Sequence, residues 1–185
     1  MIFSNSPLSS RLPTLPFITG LAIIALASVL LPPMESALAH QPVELKSTDR
    51  TPAAGPLLVD GTISFAVNLS FSKSGQVRAF RAGFAKGDRL ALQLLIYDEK
   101  PEKSLTKKKL PVLKVTSPSG ESFTLALSER TPFYEPWGGR NYLYLGRTTR
   151  VAEEGIYEFE IRSRAPGRFI IGVGEREVPG EVTRD

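Results

Sequence analysis

The chain has 185 residues, a formal net charge of +4, a single histidine and no cysteine. The lack of cysteine excludes a disulfide framework, a lipid anchor on cysteine and a thiol nucleophile, so a domain of this size must rest on its hydrophobic core. The charge excess is modest and concentrated in one lysine-rich stretch, with no nucleic-acid motif and no interleaved aromatics, so nucleic acid is not an expected partner.

The N-terminus carries an address. Arg11 precedes an apolar run, Phe17 to Leu31, broken only by Thr19, Gly20 and Ser28. Pro32-Pro33 ends the run, and Ala37-Leu38-Ala39 places small residues where a signal peptidase reads them. This order predicts a signal peptide, helical through its apolar run, over residues 1–39, with the mature chain starting at His40. The run falls short of the roughly 20 apolar residues of a membrane span. Membrane contact is therefore expected only through an uncleaved signal, and the location is exported, periplasmic or extracellular. The remainder, about 145 residues, is long enough to bury one core.

Residues 40–60 are polar and carry Pro42, Pro52 and Pro56, which predicts an extended polar arm. Asp60-Gly61 marks a turn. Ile63, Phe65, Val67 and Leu69 then alternate with Ser64, Ala66, Asn68 and Ser70, the period of a strand with one wet face. A polar turn at Ser72–Gly75 leads to a second strand, Gln76–Phe84, with Phe80 and Phe84 as its core residues. Lys86-Gly87-Asp88 turns the chain into Arg89–Tyr97, where Leu90, Leu92, Leu94 and Ile96 share a face.

Lys100 to Lys109 reads KPEKSLTKKK. Its two readings are contact with an anionic polymer or surface and a solvated loop. Leu110–Thr116 is a short strand, Pro118-Ser119-Gly120 a turn, and Phe123, Leu125 and Leu127 a further alternating strand. Ser128 to Arg140, with two prolines and Gly138-Gly139, is excluded as a regular interior strand. Asn141–Arg147 returns to strand. Gly155–Glu175 reads as a β-hairpin: Tyr157, Phe159 and Ile161 alternate, Pro166-Gly167 turns, and Phe169, Ile171 and Val173 resume the alternation. Residues 177–185 are expected as a flexible tail.

About eight strands punctuated by turn signals, with no helix after the signal, predict an all-β, antiparallel β-sandwich over residues 61–176. Ala79-Phe80-Arg81, Lys86-Gly87-Asp88-Arg89-Leu90, Ser117-Pro118-Ser119-Gly120, Glu154-Gly155-Ile156-Tyr157 and Pro166-Gly167-Arg168-Phe169 follow one another in a recognisable order. Over roughly Ile63 to Val173 the chain resembles the bacterial pre-peptidase C-terminal domain. The resemblance implies a jelly-roll-like sandwich that serves as an accessory module on secreted proteins. Its motifs are turns and strands, so they speak to architecture more than to function.

Catalytic chemistry finds little to work with. A Ser-His-Asp constellation needs the one histidine, His40, which falls in the predicted arm. No nucleophile elbow, phosphate-binding loop or zinc-protease motif is present. Glu129 and Glu135 are candidates for a paired-carboxylate hydrolase. After cleavage His40 would offer an amine and an imidazole to copper, but a second imidazole is missing, so no metal or other cofactor is assigned. Asp60, Asp98 and Glu99 could approach calcium only without the usual loop motif.

The candidate ligand-binding residues are Phe133, Tyr134, Trp137, Arg140 and Tyr142, which crowd into one irregular stretch with the only tryptophan. Aromatic planes with an arginine and carboxylates suit recognition of a sugar or a peptide. The competing reading is a lid, with Phe133 and Trp137 plugging the open end of the sandwich. Three functions are compatible with these features. The first is a non-catalytic exported sandwich that binds or supports an envelope or extracellular partner, protein or glycan. The others are a carbohydrate-binding module and a small secreted hydrolase.

Overall fold

The computed structural model describes Met1 and residues 40–136 and 138–184. The expected signal segment and Trp137 lie outside the described residues. Among the described residues there are twelve strands in chain order: β1 (Gln41–Glu44), β2 (Leu57–Leu58), β3 (Phe65–Phe71), β4 (Val77–Phe84), β5 (Arg89–Tyr97), β6 (Val112–Thr116), β7 (Ser122–Thr124), β8 (Thr131–Glu135), β9 (Arg140–Val151), β10 (Gly155–Arg162), β11 (Gly167–Val173) and β12 (Val182–Thr183). Three short 3-10 turns complete the regular structure, at Pro52–Ala54, Glu102–Ser104 and Lys107–Lys109.

The strands form two six-stranded sheets. Sheet A has the order β1-β3-β11-β5-β9-β8, and sheet B the order β12-β2-β4-β10-β6-β7. Residues from both inner faces form one core, among them Phe65, Leu92, Leu94, Phe169 and Ile171 from sheet A and Phe80, Leu113, Phe159 and Ile161 from sheet B. Period-2 alternation along each strand supplies these residues. Within sheet B, Phe80 and Phe159 are direct cross-strand neighbours. Their rings stack at 4.5 Å with 4° between planes.

Two expectations are corrected by the strand pairing. The sheets are mixed, not purely antiparallel: β1 runs parallel to β3 and β2 parallel to β4. The second correction concerns Gly155–Glu175, which is not a hairpin. β10 pairs with β4 and β6 in sheet B, whereas β11 pairs with β3 and β5 in sheet A. The link between them crosses the sandwich. Sheets packed face to face lie about 10 Å apart, a distance that four extended residues span. The β3–β4 link also crosses from sheet A to sheet B, and the two links hold each other. Ser163 Oγ donates to the Lys73 carbonyl at 2.8 Å. The Ser163 N–H donates to Gln76 O, and the Gly75 N–H to Ser163 O, both at 2.9 Å.

The segment at 40–60 is extended but bound. Val43 and Leu45 join the core. Asp49, 1 % exposed, accepts from the Lys46 N–H at 2.7 Å and from Arg184 Nη1 at 3.0 and 3.1 Å. Arg184 belongs to the expected flexible tail, which is instead held to the sandwich: β12 pairs with β2, and Gly180 exchanges two hydrogen bonds with the Gln41 side chain. Nothing in the local pattern of either segment announces this pairing, because each has only two to four residues in register. The strand expected over Phe123–Leu127 shortens to β7, and part of the proline-containing stretch forms β8, at the edge of sheet A, where a missing N–H is tolerated.

Candidate functional site

The outer faces of the two sheets differ in chemistry. Sheet B presents Lys114, Glu158, Glu160 and Arg162, a charged surface with an exposed Glu160–Arg162 ion pair. Sheet A presents a broad aromatic and apolar band. Leu95 on β5 lies opposite Tyr144 on β9, and Tyr97 opposite Tyr142. Phe133 on β8 lies opposite Tyr142, and Ile170 on β11 opposite both Leu95 and Asn68. The band therefore runs across β3, β11, β5, β9 and β8.

A β-bulge shapes one end of this band. Leu94 pairs with Gly146 and Leu95 with Tyr144, which leaves Leu145 as the extra residue. Beyond the bulge Arg147 is opposite Gln93 and shares the face of Tyr144. A bulge re-aims side chains in this way and bends the strand. Gly146, at the bulge, admits the Ala126 backbone: a Cβ there would sit 2.1 Å from the Ala126 carbonyl oxygen.

A groove of about 200 Å³ opens on this face. Leu95 and Ile170 floor it, both buried although they point away from the core. Phe133, Tyr142 and Tyr144 wall one side, and Asn68, Gln93 and His40 the other. The Phe133 ring centre is 5.1 Å from that of Tyr144 and 6.5 Å from that of Tyr142, with tilts of 37° and 28°. Gly172 gives Gln93 its place: a Cβ at Gly172 would lie 2.5 Å from Gln93 Cγ and 2.8 Å from its Nε2.

The polar groups of the groove are largely unspent. Among the described residues neither the Gln93 amide nor the hydroxyls of Tyr142 and Tyr144 form hydrogen bonds. Asn68 Nδ2 donates to the Ala66 carbonyl at 3.3 Å, leaving its Oδ1 open. Burial raises the pKa values of Tyr142 and Tyr144 above the usual phenol value, so both are neutral hydroxyls at physiological pH.

The charges around the groove are compensated. Arg147 stands 4.5 Å from the Tyr144 ring centre and grips Glu129 with two hydrogen bonds, at 2.7 and 3.0 Å. Those bonds, with one from Thr131, hold the Glu129 carboxyl below its usual range. Arg168 lies 4.4 Å from the Tyr97 ring centre and is shared between Glu99 and Glu102. Glu135 accepts the Gly138 N–H at 2.6 Å.

Of the five residues singled out from the sequence, Phe133 and Tyr142 line the groove together. Tyr134 does not: as the next residue on the strand it faces the other way and is 58 % exposed. Arg140 stands 5.9 Å from the Tyr97 ring centre, in a separate depression with Asp98, Glu99 and Asn141. Trp137 is outside the described residues. Phe133 lies on the face of sheet A rather than over the open end of the core, so for this residue the lid reading does not hold.

The sequence does not place Tyr144, Gln93, Asn68 or His40 at this groove. The signal available was the size of the residues at supposedly wet positions, Tyr97, Tyr142 and Tyr144, on two separate strands. His40 is not in a free arm. Its Nδ1 is hydrogen-bonded to Ser64 Oγ, and the next residue's N–H donates to Ser64 O at 2.9 Å. Lys107, Lys108 and Lys109 are exposed, while the loop that bears them is anchored through the buried Glu102. The acids considered for calcium are engaged elsewhere: Asp60 with Thr62 and Arg176, Glu99 with Arg168 and Asp98 with Lys103. Among the described residues no three His, Asp or Glu side chains are grouped so as to hold a metal ion.

Comparison with models of known protein families and with curated proteins finds no match.

Proposed function

We propose that the chain is an exported, non-catalytic β-sandwich that binds or supports an envelope or extracellular partner through the outer face of sheet A. The observation that carries this reading is the groove between Phe133, Tyr142 and Tyr144 on one side and Gln93 and Asn68 on the other. Aromatic walls supply contact area, and unspent amides and hydroxyls supply direction, the usual make-up of a recognition site. The charged outer face of sheet B has neither.

The same groove is poorly equipped for catalysis. Its titratable groups besides the tyrosines are His40 and Glu135. His40 leans on Ser64, and Glu135 receives a backbone N–H. The Ser64 hydroxyl beside His40 is buried and does not line the groove, and among the described residues no carboxylate orients the imidazole. Export rests on Arg11, the apolar run and Ala37-Leu38-Ala39. The likeness to the pre-peptidase C-terminal domain, with its jelly-roll connectivity and accessory role, belongs to the same proposal. It is supported by strands that pass repeatedly between two sheets.

Retention of the exported protein by isolated cell envelope tests the reading. Wild type is expected to be retained. A Phe133→Ser, Tyr144→Ser double variant with an unchanged melting temperature should lose about 2 kcal/mol or more of binding, as removal of hot-spot aromatics does. Equal retention of that variant, or no retention of wild type, defeats the proposal.

A further inference from the structure

If the groove is the binding site, as proposed above, its shape and lining also define the chemistry of its ligand. Its volume, about 200 Å³, lies below the roughly 300–1,000 Å³ of pockets that enclose a drug-sized molecule. It therefore takes one ring-sized group, and a longer ligand must continue across the face of the sheet.

The surfaces that meet this group are of two kinds. Phe133, Tyr142 and Tyr144 offer ring faces tilted by only 28° and 37° from one another, with Phe133 common to both pairs. Opposite them, Gln93 has a free amide, donor and acceptor at once, and Asn68 has a free carbonyl oxygen. Gln93 is seated against Gly172, where no other residue would leave it room.

A pyranose ring matches both surfaces. Its C–H face is apolar and flat enough to lie on aromatic rings. Its hydroxyl rim both donates and accepts, as side-chain amides require. Charge points to a neutral sugar. The lining of the groove holds the Glu135 carboxylate and no lysine or arginine, and the neighbouring Arg147 and Arg168 are committed to Glu129 and to Glu99 and Glu102, so a uronate or sulfate is disfavoured.

A peptide is the poorer fit. Extended peptides gain affinity by adding a strand to a sheet edge. The edge beside this groove is β8, where Pro132 removes a backbone donor.

We propose that the groove binds one neutral pyranose unit of an oligosaccharide, its ring laid against Phe133, Tyr142 and Tyr144 and its hydroxyls bonded to Gln93 and Asn68.

The test titrates the exported protein with chitotetraose, cellotetraose, mannotetraose, maltotetraose and tetragalacturonate, read by calorimetry and by NMR shifts of the groove. At least one neutral tetrasaccharide is expected to bind and to shift Gln93 and Tyr144, with tetragalacturonate weaker. Tyr144→Ala and Gln93→Ala should each weaken binding by about tenfold or more, and Tyr134→Ala, outside the groove, should not. Should Tyr144→Ala fail to fold, Gln93→Ala and the shift map still decide. The proposal is overturned if no neutral tetrasaccharide binds, if tetragalacturonate binds best, or if binding ignores both substitutions. Envelope retention that depends on Phe133 and Tyr144 without any saccharide binding would overturn the sugar while leaving the binding module standing. Loss of both would remove the two together.

Discussion

Glu102 is held by Arg168 through three hydrogen bonds: from the backbone N–H at 3.1 Å, from Nε at 2.8 Å and from Nη2 at 3.0 Å. The carboxylate is 2 % exposed, whereas the Arg168 side chain is 45 % exposed. This pair ties the lysine-rich loop to the start of β11, on the edge of the aromatic face. The hydrogen bonds from Arg168 lower the Glu102 pKa more than its burial raises it. Stability from the pair is therefore complete above the ordinary glutamate value of 4.5 and is lost as pH falls through the lower folded value.

Replacing this carboxylate should remove that acid sensitivity. Glu102→Gln is expected to flatten the decline in melting temperature below pH 4.5, the ordinary value, and to destabilise the protein at neutral pH. Because Arg168 can rehydrate, the neutral-pH loss should be about 1–3 kcal/mol rather than that of a wholly buried pair. Denaturant melts across the acid range check both. A variant whose acid profile overlays wild type would show that other carboxylates govern it.

Phe159 is fully buried and stacks on Phe80 between the two sheets. Phe159→Ala should cost about 3–5 kcal/mol, since a cavity replaces a ring that the close-packed sandwich cannot collapse to fill. The unfolding midpoint in denaturant should fall with little change in slope. A loss under about 1 kcal/mol would mean the site relaxes, contrary to that packing argument.

Ser163 joins the two crossovers between sheets. Its hydroxyl, on a residue 2 % exposed, faces the carbonyls of Lys73 and Gln76 at 2.8 and 3.1 Å. Ser163→Ala strands the Lys73 carbonyl, while Gln76 O keeps the Ser163 N–H, and should cost about 1–3 kcal/mol. Hydrogen exchange is the sharper measurement. The Gly75 and Ser163 amides should lose protection before the centre of β10 does, and uniform loss would argue against a local joint.

The N-terminus of the mature protein can be weighed directly. Cleavage after Ala39 predicts an intact mass for the exported protein that begins at His40. That product would place a new amino group at the rim of the groove, since His40 lines it. A mature form that retains Phe17 to Leu31 would count against export by cleavage and leave a membrane-tethered protein in its place.

Period-2 alternation made most strands readable from the residues alone. A side chain's inward or outward direction is a local property of extended backbone, so Phe65, Leu92, Phe159 and Ile171 could all be assigned to one core without knowing their partners. Glycine, proline and polar clusters likewise marked most of the turns. Strand partnership is not local. The same alternation describes a hairpin and a crossover equally well, and for Tyr157–Val173 the deciding fact is the pairing of β10 with β4 and β11 with β3. The short strands at both ends escaped notice for the same reason, because two to four residues carry too little pattern to compete with proline and charge.

The site divides along the same line. Phe133 and Tyr142 stood out because they lie close together in a stretch rich in aromatics. Tyr144, Gln93, Asn68 and His40 come from β9, β5, β3 and the residue before β1, and only the order of sheet A sets them side by side. Composition and periodicity determined the all-β class and the core. The aromatic face exists only because long-range hydrogen bonding places particular strands next to one another, a choice made by the free energy of the whole sandwich and not by any segment of it.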